Sequence, residues 1–235
     1  MGTSLVVGGS SGIGLATAVR LLAHGDSVHI AGRSPQRLGA ATAAHLDLKP
    51  HVLDAGDPAA VAAVLEEVGP IDRLVVTLSG SKGAGRLADL DLGELRSAFE
   101  EKLWPTLTVV KAALPHLGSR GSVTLVGAVT ARIGMPGTAG IGALNAAVEA
   151  LVAPLAAELA PLRVNAVSPG YVDTPWWSGL PATDREAFFA EVAQGLPTGR
   201  IASADDVAEA VVLLATNANL TGTVIESTGG AHLTA

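Results

Sequence analysis

The sequence predicts an α/β fold in which a mostly or wholly parallel central sheet carries helices on both faces. Short β-branched runs alternate with longer helical patterns along the chain, and a glycine-rich turn joins the first run to the first helix. The 235 residues are 49 % apolar yet include only three Trp, three Phe and one Tyr. Alternation of this kind is the pattern of βαβ units, whose crossovers force the strands parallel. So few aromatics leave the core to Ala, Val, Leu and Gly, which favours close helix-to-sheet packing. The length fits one doubly wound domain over residues 1–235.

Taken in order, Leu5–Val7 reads as a strand, Ile13–Ala23 as a helix, Val28–Ala31 as a strand and Gln36–Leu46 as a helix. His51–Leu53 is the third strand. Asp57-Pro58 then opens a helix to Val68, pairing a capping carboxylate with a residue whose φ is already set for the first turn. Leu74–Leu78 is the fourth strand. A long helix about Leu92 to Leu117, a strand Ser122–Val126, a long apolar helix about Thr138 to Ala160 and a strand Arg163–Val167 follow. The stretch Ser168–Gly199 reads as irregular. Its part from Thr174 to Gly199, with Trp176-Trp177 and Phe188-Phe189, is long for a connection and is a candidate lid; a surface helical hairpin is the alternative. A helix Ala204–Ala215 and a strand Thr223–Glu226 complete the chain.

Several function classes are disfavoured. A net charge of −7 with no cluster of Lys and Arg argues against a nucleic-acid footprint. The absence of Cys removes disulfides, thiolate metal sites and a catalytic thiol, which suits a reducing, cytoplasmic location. Met1-Gly2-Thr3-Ser4 leads straight into a strand with no basic leader. The apolar Thr138–Ala160 run carries Asn145, Glu149, Pro154 and Glu158, so a buried helix is expected rather than a membrane span. The six His show no paired metal-ligand spacing, and no Gly-x-Ser-x-Gly elbow is present. Asp205-Asp206 after Ser203 reads as helix capping.

The turn Val7-Gly8-Gly9-Ser10-Ser11-Gly12-Ile13-Gly14 stands between a strand and a helix. A dinucleotide pyrophosphate needs backbone N–H groups at a helix N-terminus, and glycine lets the chain turn and approach closely enough. This is the arrangement of a doubly wound Rossmann fold. About twenty residues on, where a carboxylate would hold the ribose 2′-hydroxyl of NAD, the chain has Arg33-Ser34. A guanidinium fork and a hydroxyl suit a 2′-phosphate, so NADP(H) is expected ahead of NAD(H).

Gly-Gly-Ser-Ser-Gly-Ile-Gly closely resembles the cofactor loop of the short-chain dehydrogenase/reductase family, and the likeness extends along nearly the whole chain. It implies cofactor contacts from Gly8, Ser10, Ser11, Gly12, Ile13, Gly14, Arg33 and Ser34. Asp54 resembles the adenine-contacting Asp, with Ala55 beside it. Thr77-Leu78-Ser79-Gly80 stands, in either of two registers, where the family has Asn-Asn-Ala-Gly, which adds Ser79 and Gly80. Arg163–Thr174 resembles the segment at the nicotinamide, which adds Pro169, Gly170, Val172 and the carboxamide-binding position Thr174. Thr221–Ile225 followed by Gly229-Gly230 resembles the C-terminal strand and turn.

The same likeness places changed residues at all four catalytic positions. Ala128 stands for Ser, Ile141 for Tyr, Asn145 for Lys and Lys102 for Asn. Asn and Lys have therefore exchanged places, and Lys102 facing Asn145 would still carry a cation toward the cofactor ribose. A surface Lys and a helix-interface Asn are the alternative. Tyr171 is the only tyrosine and its position is commonly a packing one; Thr130, Thr138 and Ser79 offer hydroxyls of little acidity. Three readings stay open: an oxidoreductase on a carbonyl or alcohol of a small molecule, a non-catalytic cofactor-binding sensor or assembly partner, and a non-redox lyase or isomerase. The resemblance also implies a homodimer or homotetramer through the helices at about 92–117 and 138–160, with Gly140, Ala143, Ala146, Ala147 and Ala150 allowing close packing.

Overall fold

Continuous apolar runs have no polar face to present to water, so they settle in the middle of a layered structure with both faces covered. A computed structural model, which describes residues 2–80 and 82–234, shows that outcome. Strands β1 (Thr3–Val7), β2 (Ser27–Gly32), β3 (Lys49–Val52) and β4 (Ile71–Val76) are followed by β5 (Leu117–Val126) and β6 (Arg163–Pro169). Strand β7 (Val172–Asp173) and strand β8 (Ala202–Ser203) form a separate two-stranded sheet, and β9 (Val224–Ser227) is the last strand. The main sheet is seven-stranded in the order β3-β2-β1-β4-β5-β6-β9, and every pairing in it is parallel.

The chain winds outward from β1 through β2 to β3, then returns to β4 on the other side of β1. That reversal leaves a crevice beyond the carboxyl ends of β1 and β4. Helices α1 (Gly12–Ala23) and α2 (Pro35–Ala44) lie on one face with α8 (Ala204–Thr216). On the other lie α3 (Pro58–Val68), α4 (Leu92–Ala113), α5 (Ala139–Ala150) and α6 (Val152–Glu158). Helix α7 (Ala182–Gly195) packs no fully buried residue, and α9 (Ala231–Thr234) is a single turn.

Helix starts follow local chemistry. The Asp57 carboxylate accepts from the N–H groups of Ala59 and Ala60, and Asp91 accepts from Gly93 and Glu94 at the start of α4. Ser203 and Asp206 form a reciprocal capping box at α8, and Asp206 is further paired with Arg200 at 2.7 Å.

Three expected elements change. The Thr138–Ala160 helix is two helices that meet at Leu151. Pro154 has no N–H to give the carbonyl of Ala150, and its ring crowds that carbonyl, so the ladder breaks there. The run from Ala139 to Glu158 is long and apolar enough to cross a membrane by length and composition. Here it packs on α4 and the sheet, with Leu144, Val148 and Val152 buried. The Ser168–Gly199 stretch, expected to be irregular, instead contains the end of β6, β7, a 3-10 turn at Pro175–Gly179 and the fourteen-residue α7. The long helix at 92–117 ends at Ala113, because Pro115 follows in a 3-10 turn and Leu117 already starts β5.

Candidate active site

The crevice is built from backbone. Gly8 has φ +87° and Gly12 φ +52°, a region side chains adopt at a cost. Gly14 is required by contact: a Cβ there would lie 2.2 Å from the Gly8 carbonyl oxygen and 2.6 Å from Thr77 Oγ1. The turn is anchored by Gly8 N–H donating to Ala31 O at 2.8 Å. Ser11 is the N-cap of α1, and its side chain makes no capping hydrogen bond, so the helix presents free N–H groups to the crevice beside Ser10 and Ile13.

Around this loop the structure gathers most of the expected residues. Arg33 is exposed at the end of β2. Ser34 is the N-cap of α2, where its hydroxyl accepts from Arg37 N–H at 3.2 Å and keeps its own hydrogen to donate. Asp54 accepts from Gly56 N–H at 3.0 Å in the turn after β3, with Ala55 buried beside it. Thr174 lies 3.3 Å from a Cβ built on Gly12. Pro169 ends β6, Gly170 donates to Ser227 O at 3.0 Å, and Val172 is buried. Ser79 is exposed, and the Gly80 carbonyl accepts from the Trp176 indole N–H at 3.2 Å.

That last bond spans from the segment after β6 to the segment after β4. Trp176 and Trp177 belong to a cluster with Tyr171, Phe188 and Phe189, five of the seven aromatic residues of the chain. Trp177 is the hub, with ring centroids 4.6 Å from Trp176 and 5.1 Å from Phe188. The cluster holds α7 against the body, since that helix has no buried face of its own. Tyr171 donates toward Met135 Sδ at 3.7 Å.

Lys102 and Asn145 face each other. Lys102 Nζ donates to Asn145 Oδ1 at 2.7 Å and to Gly127 O at 3.3 Å, and both side chains are buried. The Asn145 amide donates in turn to Thr130 Oγ1 and to Ile141 O, each at 3.0 Å. Burial strips water from the ammonium and lowers the Lys102 pKa from 10.5 to about 8, with the Glu149 carboxylate pulling the other way. Ala128 follows Gly127, and Ile141 lies one turn before Asn145 on α5.

Residues with no sequence motif complete the surroundings. Thr77 bonds Val7 O through both its N–H and its hydroxyl and props the glycine turn. Glu149 is buried and accepts from Arg132 Nε at 2.9 Å. Arg132 reaches Glu226 at 3.6 Å, and Glu226 meets His232 at 3.0 Å. The available signal was the spacing 141, 145, 149, which puts Ile141, Asn145 and Glu149 on one face of α5. A cavity of about 490 Å³ lined by Tyr171, Arg200, Glu226, Thr228 and His232 lies at this end of the network.

Comparison with known proteins agrees along the chain. A family model described as enoyl-(acyl carrier protein) reductase matches residues 7–232. Cis-4-hydroxycyclohexanecarboxylate dehydrogenase of Sinomonas cyclohexanicum is 33 % identical over 97 % of this chain and 95 % of its own. A solved small-chain dehydrogenase in complex with NADPH has a TM-score of 0.87 and 34 % identity, covering 99 % of both chains. An NADPH-bound short-chain oxidoreductase from Pseudomonas aeruginosa PAO1, described as containing an atypical catalytic center, has a TM-score of 0.91 at 29 % identity over 98 % of this chain and 96 % of that one. With its parallel seven-stranded sheet, its glycine crevice and these relatives, the chain belongs to the short-chain dehydrogenase/reductase family of oxidoreductases.

Proposed function

We propose that this protein is an NADP(H)-dependent oxidoreductase that interconverts a carbonyl and an alcohol on a small molecule, with Lys102 as its proton-handling residue and Asn145 holding it. The observation that carries the reading is the buried 2.7 Å hydrogen bond between Lys102 Nζ and Asn145 Oδ1, beside the Gly127 carbonyl at the carboxyl end of β5. The fit to a dinucleotide rests on the cradle a Cβ at Gly14 would fill and on the uncapped N-terminus of α1. Gly8–Gly14 hold the pyrophosphate, Arg33 and Ser34 the 2′-phosphate, Asp54 and Ala55 the adenine end. Ser79, Gly80, Pro169, Gly170, Val172 and Thr174 hold the nicotinamide end. The chemistry the dinucleotide brings is hydride transfer.

What remains for the chain is orientation and a proton. Ala128 and Ile141 have no acid to offer. Lys102 can serve, because an ammonium that titrates at about 8 gives up its proton near neutral pH far more readily than an ordinary lysine. Asn145 accepts one of its three N–H groups and Gly127 O a second, which aims the side chain. The 174–199 segment acts as a lid, held by Trp176 on Gly80 and by the aromatic cluster, and excludes water when closed. The protein assembles as a homo-oligomer through α4 and α5, where Leu92 and Trp104 on α4 are exposed, and works in the cytoplasm.

The test is Lys102→Met, which keeps an unbranched side chain one atom shorter and removes its charge, assayed by NADPH fluorescence titration and by turnover on a panel of carbonyls and alcohols. NADPH affinity should stay within a few-fold, and kcat should fall about a hundredfold to ten-thousandfold. Wild-type turnover by the variant would overturn the role of Lys102. Tight NADPH binding with no turnover of any compound by the wild type would favour the second reading, a non-catalytic cofactor-binding protein, which the inert Ala128 and Ile141 support.

A further inference from the structure

Gly127 is the point where two buried charges meet. Its carbonyl accepts from Lys102 Nζ at 3.3 Å. Its Cα lies against Glu149, so closely that a Cβ would sit 2.5 Å from Glu149 Oε1. The Glu149 side chain is 5 % exposed, and among the described residues only one of its oxygens finds a donor: Oε2 accepts from Arg132 Nε at 2.9 Å, while Oε1 is buried with no hydrogen-bond partner. A buried carboxylate oxygen without a hydrogen bond is costly unless a cation compensates it through space. Arg132 neutralises the outer oxygen. Lys102, packed on the same glycine, is the cation on the inner side.

We propose that Glu149 is a positioning residue for Lys102: its buried carboxylate, clamped by Arg132, keeps the Lys102 side chain protonated and seated on Asn145 and Gly127. This role rests on the reading of Lys102 given above, and it acts through Lys102 rather than on substrate. The charges alternate outward from the crevice, from Lys102 to Glu149, Arg132 and Glu226, with His232 on Glu226 at 3.0 Å. On α4 the neighbouring carboxylate Glu101 is engaged by Lys82 instead. Desolvation drives Lys102 toward its neutral form and Glu149 opposes that drive, so the two together hold its titration near neutrality. Loss of the carboxylate leaves desolvation unopposed.

The experiment is a direct titration of the Lys102 side chain by NMR in the protein free of cofactor and substrate, its signal assigned by its loss in Lys102→Met. In Glu149→Gln, which keeps shape and removes charge, the Lys102 midpoint should fall by about one unit. In Arg132→Met, which removes the competing cation from a side chain that is 44 % exposed, it should rise. The opposite signs exclude a mere loosening of the fold, and Arg132→Met alone decides the matter if Glu149→Gln does not fold. In turnover, the alkaline loss of kcat for carbonyl reduction should move to lower pH in Glu149→Gln by the same amount, with KM little changed. Coincident Lys102 midpoints in the wild type and the folded variants would overturn the proposal. A shifted midpoint together with undiminished turnover by Lys102→Met would retain the coupling of Glu149 to Lys102 and overturn only the catalytic role of Lys102.

Discussion

Replacing Gly14 by Ala probes the crevice at its tightest point. The added methyl would stand 2.2 Å from the Gly8 carbonyl oxygen and 2.6 Å from Thr77 Oγ1. An ordinary carbon-to-oxygen contact is above 3 Å, so the turn must move by roughly 1 Å. The obstacle is backbone, which cannot rotate away as a side-chain tip can. Overpacking of this kind costs about 1–3 kcal/mol, which in a chain of this size lowers Tm by about 2–12 °C. The displaced segment also carries the N–H groups expected to meet a pyrophosphate. Weakening one charge-assisted hydrogen bond, about 1.5–3 kcal/mol, lowers NADPH affinity about tenfold to a hundredfold. Gly39→Ala is the control. It sits in α2 with no atom of the described residues within 4 Å of its added methyl, so it should raise Tm by about 1–4 °C through helix propensity and leave affinity unchanged. Thermal melts and fluorescence titration measure both quantities. A Gly14→Ala protein that binds NADPH as tightly as the wild type would refute the placement of the pyrophosphate.

Two further perturbations test other parts of the structure. Arg33→Ala should weaken NADPH about tenfold to thirtyfold, the loss of a charge-assisted pair in partial solvent, and leave NADH binding unchanged; an equal loss for both cofactors in parallel titrations would remove the selectivity role. His29 lies half-buried on β2, its Nδ1 2.8 Å from His51 Nε2. Desolvation, then the neighbouring His51 and Lys49, lower its pKa from 6.5 to about 4. The unfolded chain therefore takes up this proton near pH 6.5 and the folded chain only near 4. The stability from neutral His29 is full above 6.5 and declines as pH falls toward 4, by about 1–2 kcal/mol once solvent screening is allowed for. Urea unfolding of His29→Gln across that window should show a shallower dependence on pH, and an unchanged slope would sink the assignment.

The sheet and the crevice were legible in the sequence because their signals are local. A strand, a turn and a helix that follow one another within Thr3–Ala23 fix the glycine geometry without help from distant residues. Helix continuity was not legible, because the same local signal has opposite outcomes. Pro105 lies inside α4 and the helix runs on, whereas Pro154 separates α5 from α6. Packing decides between them: Pro105 is buried, while the bend at Leu151 keeps Val152 and Ala156 on the sheet as the chain turns into β6. Aromatic pairs hold α7 where apolar periodicity does not, so its sequence resembled a loop.

The charged surroundings of Lys102 were harder still to see. Lys102 and Asn145 are 43 positions apart, and only the family likeness set them side by side. Glu149, Arg132, Glu226 and His232 come from α5, a loop, β9 and α9, and no spacing links them. Their assembly bears on Ala128 and Ile141, the apolar residues that the family likeness sets at two catalytic positions. Ala128 directly follows Gly127, whose carbonyl accepts from Lys102 Nζ, and the Ile141 carbonyl accepts from Asn145, so on the proposed reading a Ser and a Tyr at these positions would bring hydroxyls toward the ammonium. Ala128 and Ile141 do not, and desolvation is the leading cause of the lowered Lys102 pKa. On the proposed reading the apolar pair and the exchanged Lys and Asn are therefore one change rather than four. On that reading, a site without the hydroxyl acid is also without the polar groups that would keep a buried lysine too basic to replace it.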